Sequence, residues 1–212
     1  MIKRIVAYGD SFTYGHELSD CRDCPSNLTY AALVAQHYGI EYECRAVGSN
    51  ANQSITRNLI DSKILPTDLV IVMWTFIERK DFLFEGDLGW RSITPIDDFP
   101  FVKEYYRYID TTLDYELYLT HKELLLTQTY LESKNIPFLF LSTTDTIYKS
   151  LECNNKNLLH LIDKSKWSRP FGNQGFFDWA KDQHLVFKGG HATNPAHRTL
   201  ADYIIDQNLV SK

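Results

Sequence analysis

The sequence predicts an α/β fold with a mainly parallel central sheet and helices on both of its faces. Three observations lead there. Apolar, β-branched runs recur along the chain, they are continuous rather than alternating, and helix-like segments separate them. Continuous apolar runs suit strands buried on both faces, and strand–helix alternation suits parallel strands joined by crossover helices.

Taken in order, "RIVAY" (residues 4–8) is the first strand and "YECRAV" (42–47) a weaker second. "LVIVMW" (69–74) is the third and "IPFLFLST" (136–143) the fourth. Between them, "LTYAALVAQHYG" closes on Gly39 as a C-cap, "QSITRNLIDSKIL" runs to Pro66, and "YELYLTHKELLLTQTYLESKN" is long and periodic. The last helix, "NPAHRTLADYIIDQN", is expected to start with Asn194 as N-cap and Pro195 at the first helical position. In such sheets sites form beyond the carboxyl ends of the strands. "YGDSF", "VGSNANQSI" and "WTFIER" should therefore share one edge.

At 212 residues the chain is read as a single domain, 1–212, with an aromatic-rich insertion at about 80–118. That insertion holds Phe82, Phe84, Trp90, Phe99, Phe101, Tyr105, Tyr106, Tyr108, Tyr115 and Tyr118. It reads either as a cap over the site that could stack a sugar or as a helix packing aromatic residues on the core.

A net charge of −5 leaves no basic footprint for nucleic acid. No apolar run approaches the ~20 residues of a membrane helix, and the start of the chain reads as a buried strand rather than a secretory signal. A cytoplasmic location is the default expectation, and a component of a viral particle is compatible with it. "CRDC" (Cys21, Cys24) has metal or redox spacing, but Cys44 and Cys153 form no second close pair, so free thiols or a local disulfide are favoured over zinc.

"GDSFTYG" ends the first strand in a turn. Gly9 and Asp10 are turn formers and Ser11 is a good helix N-cap, which accounts for them structurally. The sharper reading is a displayed hydroxyl, which needs a base within hydrogen-bond reach and donors for the oxyanion that develops. The Ser11 backbone N–H, near a helix N-terminus, supplies one donor. Among seven histidines, His37 and His121 lie in helical patterns and His160 and His184 have no distinguishing context. His16 follows Gly15, with its direction unset. His191, in the glycine turn "KGGHATNP", can approach the strand ends, and His197 on the following helix is read as structural.

These blocks resemble the GDSL/SGNH hydrolase superfamily, and the resemblance spans residues 5–205 in register. "GDSFTYG" is similar to its first block. "AVGSNANQSITR" is similar to the second, in which Gly48 matches an oxyanion donor, and "GGHATNPAHRTLADYI" to the last, in which His191 matches the catalytic base. The resemblance implies a three-layer α/β/α, flavodoxin-like SGNH hydrolase fold. It also implies a serine ester hydrolase in which Ser11 is the nucleophile and Asp10 braces the turn. No metal or organic cofactor is implied.

Two departures stand out. The third block lacks its asparagine, for which Thr75 is the first substitute as oxyanion donor and Arg79 the second. The aspartate usual three residues before the histidine is Lys188 here, leaving Asp178 or Asp182 as the acid or orienter, or a backbone carbonyl in a Ser-His dyad. Asn50 and Asn52 read as donors near the site or as helix caps. The expected substrate is a small-molecule or carbohydrate ester, including O-acetyl groups on carbohydrate. The alternative is a non-catalytic carbohydrate- or ligand-binding module on the same fold. A phosphate-binding loop at Gly9–Ser11 lacks the lysine and glycines such loops use. The sequence sets no oligomeric state.

Overall fold

The structure, a computed structural model, describes residues 1–86, 89–109, 112–153 and 157–208. Four parallel strands form the central sheet in the order β2-β1-β3-β6: β1 (Arg4–Tyr8), β2 (Glu41–Cys44), β3 (Asp68–Trp74) and β6 (Phe138–Ser142). In-register pairing runs Arg4 opposite Glu41 and Asp68, and Val70 opposite Phe138. All seven residues of β3 are buried, as the unbroken apolar run requires of an inner strand.

Because successive strand side chains point to opposite faces, each strand feeds two cores. Ile5, Ala7, Leu69, Ile71, Met73, Leu139 and Leu141 pack on one side with Val34 of α2 (Tyr30–Tyr38) and with Leu200 and Ile204 of the C-terminal helix. Val6, Tyr8, Val70, Val72, Trp74 and Phe140 pack on the other with Ile55 and Leu59 of α3 (Asn52–Ile60) and with Leu124 and Leu131 of the long helix. Each fully buried aliphatic side chain is worth ~1.5–3 kcal/mol, so these layers hold the strand ends rigidly. The fold is the three-layer α/β arrangement expected.

The first turn after β1 is α1 (Ser11–Tyr14). Its N-cap is Asp10 rather than Ser11, and the Asp10 carboxylate accepts the Phe12 N–H at 3.0 Å. This frees the serine side chain from capping. Gly9 is needed for close approach: a Cβ there would lie 2.3 Å from Thr13 Oγ1 and 3.1 Å from the Met73 carbonyl.

Between β3 and the long helix lie an antiparallel hairpin, β4 (Lys80–Phe84) and β5 (Gly89–Ile93), and α4 (Pro100–Tyr108). Residues 87, 88, 110 and 111 of the expected insertion lie outside the described residues. Tyr115 and Tyr118 belong to α5 (Leu113–Ser133). The aromatic rings fit neither expected role simply. Phe82 meets Phe101 and Tyr105 edge-on at 5.5 and 5.1 Å, a small core of its own, while Trp90, Phe99 and Tyr108 stay exposed. A buried Lys80–Glu116 ion pair, the Tyr106 hydroxyl donating to the Glu78 carbonyl, and an Arg57–Asp81 pair fasten this unit to the domain.

The remaining helices are α6 (Asp145–Ser150), α7 (Phe176–Asp182) and α8 (Asn194–Asp206). The N-cap of α8 is Thr193, so Asn194 is already helical, one residue inside its expected place. Cys21, Cys24, Cys44 and Cys153 are free thiols. No helix among the described residues is long and apolar enough to cross a membrane.

Candidate active site

The loops after β1, β2 and β3 meet at one edge of the sheet and are bolted together by two asparagines. Asn50 donates to the Gly9 carbonyl at 3.1 Å and accepts from Ser54 at 2.9 Å. Asn52 accepts the Thr75 N–H at 2.9 Å. Neither caps α3 with its side chain, since the N-cap is Ala51. Both asparagines are buried, so their amides fix where the second and third loops sit relative to Ser11.

Ser11 is 6 % exposed at the start of α1. Among the described residues, neither its backbone N–H nor that of Gly48 finds an acceptor. Gly48 is required by packing, because a Cβ there would lie 2.7 Å from the His16 ring. The His16 ring in turn lies 5.5 Å from that of His191, and the ring of Phe12, the residue after Ser11, lies 5.4 Å from it. Through Phe12 and His16 the first, second and last blocks therefore meet.

His191 sits in a closed turn: Phe187 donates to the His191 carbonyl at 2.8 Å, and Thr193 to the Leu185 carbonyl at 2.9 Å. The carboxylate on its ring is Glu17. Glu17 Oε2 lies 2.7 Å from His191 Nδ1 and accepts the His191 backbone N–H at 3.1 Å, while Oε1 accepts the Gly189 N–H at 3.1 Å. A carboxylate only accepts, so Nδ1 donates, and in the neutral ring that tautomer leaves the lone pair on Nε2. Desolvation alone would raise the Glu17 carboxyl. The bonds from the His191 ring and the two N–H groups outweigh it and hold the group below its ordinary value.

Asp178 and Asp182 are engaged elsewhere, which corrects their expected role. Asp178 accepts the Asp145 N–H at the start of α6 (2.7 Å), and Asp182 accepts from Gln174 (2.7 Å). Sequence reasoning missed Glu17 by looking upstream of the histidine. Its one local signal is "GHEL", a carboxylate just past the first-block glycine, where Glu17 adopts a left-handed φ of 67°.

Thr75 is also corrected. Its hydroxyl is fully buried, donates to Asp10 Oδ2 at 2.6 Å and accepts from Arg79 Nη1 at 3.0 Å, so it has no proton left for a substrate oxygen. His197 is structural: buried, it accepts the Tyr30 N–H at Nδ1, and burial first, then His191, pushes it down to about 3. His16 is lowered by burial and then by His191. The site therefore holds one histidine braced by a carboxylate and, beside it, one whose protonation burial disfavours.

Comparison with solved structures bears on the fold. A member of the lipolytic protein G-D-S-L family from Veillonella parvula superposes with a TM-score of 0.53 over 96% of this chain and 97% of its own, at 14% identity. The chain has the fold of the G-D-S-L lipolytic proteins. TesA matches at a TM-score of 0.59, with 98% and 99% of the two chains covered at 10% identity. An acetyl xylan esterase from the rumen bacterium Butyrivibrio proteoclasticus matches at 0.50, covering 97% of this chain and 62% of its own, at 14% identity. No protein-family model and no curated protein sequence matches the chain.

A cavity of about 350 Å³ opens beside Gly48, lined by Asn50, Ser54, Arg57, Asn58, Trp90 and Arg91 among others. Trp90 is half exposed, with the Arg57 guanidinium 4.4 Å from its ring centre. Polar side chains and one broad ring thus border the second loop at Gly48.

Proposed function

We propose that the chain is a serine hydrolase of carboxylic esters, acting through Ser11, His191 and Glu17. The observation that supports this reading is the Glu17–His191 contact at 2.7 Å, which engages Nδ1 and leaves Nε2 available, on a ring that lies against Phe12, the neighbour of Ser11. His191 Nε2 takes the Ser11 proton as Oγ bonds to the acyl carbon. The carbonyl electron pair moves to oxygen, where the Ser11 and Gly48 N–H groups receive the charge. Collapse expels the alcohol, protonated by His191. Water then attacks the acyl-enzyme by the same route and releases the acid.

The substrate class we favour is a small acyl group, such as acetyl, on a carbohydrate. The cavity beside Gly48, with Trp90 as a stacking face and asparagine and arginine side chains around it, supports that choice. Similarity of fold to an acetyl xylan esterase is compatible with it and carries no activity over.

The binding-module reading has one observation in its favour: Thr75 spends its proton on Asp10, so the expected third oxyanion donor is lost. Hydrolysis of p-nitrophenyl acetate by the wild type, Ser11→Ala and His191→Ala separates the two. Activity abolished in both folded variants supports the hydrolase. Equal background rates in all three support the binding module.

A further inference from the structure

The third loop has lost its expected donor but carries a cation in an unusual position. Arg79 is 14% exposed, and its guanidinium lies over the Phe76 ring at 4.6 Å. Nη1 alone makes all its bonds: to Asp10 Oδ2 at 2.9 Å, to Thr75 Oγ1 at 3.0 Å and to the Asn50 carbonyl at 3.3 Å. Asp10 directly precedes Ser11, and Asn50 lies two residues past Gly48. The guanidinium thus joins the two loops whose backbone N–H groups are unpaired.

Nη1 is consumed, while Nε and Nη2 find no acceptor among the described residues, and neither is an orphaned buried donor. Neutralising Asp10 explains one arm of the group. It leaves the other arm, held in place by Asp10, Asn50 and Phe76, without an acceptor among the described residues.

We propose that Arg79 is the third oxyanion donor: its free N–H groups stabilise the charge on the tetrahedral intermediate, in the role Thr75 cannot fill. This rests on the hydrolase reading above. A fixed cation needs no reorganisation as the charge develops, and its effect falls on the transition state rather than on substrate binding.

The test is steady-state hydrolysis of p-nitrophenyl acetate by the wild type, Arg79→Met and Arg79→Lys, with thermal unfolding of each. A lost oxyanion donor is worth about 10²–10³ in kcat. Arg79→Met should lose that much kcat with KM nearly unchanged, and added guanidinium ion should restore part of the rate. Arg79→Lys keeps a cation for Asp10 but has no second arm, so it should stay folded and still lose tenfold or more in kcat. If Arg79→Met fails to fold, Arg79→Lys decides alone. Folded Arg79→Lys with wild-type kcat overturns the proposal while leaving the hydrolase reading intact. A wild type with no Ser11-dependent activity overturns that reading, and the role of Arg79 with it.

Discussion

The two sides of the site are built differently. On one side, around Ser11, Gly48 and His191, ring packing and hydrogen bonds act together: Gly48 makes room for His16, the rings of His16 and Phe12 lie against His191, and Glu17 holds the His191 turn. On the third-strand side the pattern is rebuilt. Thr75 and Arg79 lock onto Asp10, in a loop that continues into a hairpin. The difference is one of kind: the Ser11–His191 side is set by close ring contacts and a surface carboxylate, the third-strand side by a buried carboxylate that takes both Thr75 and Arg79.

Removing the nucleophile or base should break the first side outright. Ser11→Ala or His191→Ala should lower kcat for p-nitrophenyl acetate by ~10⁴-fold or more. Near wild-type turnover in either folded variant contradicts the assignment.

Glu17→Gln comes next. An amide can offer Nδ1 a carbonyl but cannot balance an imidazolium charge, so kcat should drop ~10- to 100-fold, less than for a fully buried acid because Glu17 is partly exposed. A drop as small as that of Asp182→Asn would remove Glu17 from the mechanism.

The cavity beside Gly48 gives a smaller effect. Trp90→Ala should raise KM for an acetylated xylo-oligosaccharide roughly 3- to 10-fold, the value of a ring contact worth ~1 kcal/mol. An unchanged KM would move the carbohydrate elsewhere.

The least effect on activity, and a direct one on stability, comes from the buried histidines. Burial pushes His197 down to about 3 and His121 to about 4, while an unfolded histidine titrates near about 6.5. Between those values the unfolded chain binds more protons. The contribution is therefore full above about pH 6.5 and is lost as pH falls towards the folded values. Urea midpoints should fall between about pH 7 and about pH 5, and less steeply in His121→Gln. Identical slopes would show that His121 does not contribute.

Much of the fold could be read from the chain because β1, β3 and β6 are unbroken apolar runs, and only a sheet covered on both faces buries such runs. The hairpin is less visible: Phe82 and Phe84 pack on Phe101 in a small cluster of their own and Trp90 is half exposed, so their spacing carries no signal of the main core. Ser11, Gly48 and His191 could be singled out because each stands in a glycine-bearing turn next to a strand or helix end. Glu17 was not, since its partner lies 174 residues away and chain proximity says nothing about such a pair. Thr75 misled because its type is right for a donor, and only the buried Asp10 reveals that its proton is already used.

The most direct test of the Ser11–His191–Glu17 assignment is peptide mass mapping after brief incubation with a fluorophosphonate. The account predicts one adduct, on Ser11, forming far more slowly in His191→Ala and more slowly in Glu17→Gln. No adduct, an adduct on another residue, or equal labelling rates in all three proteins would contradict it.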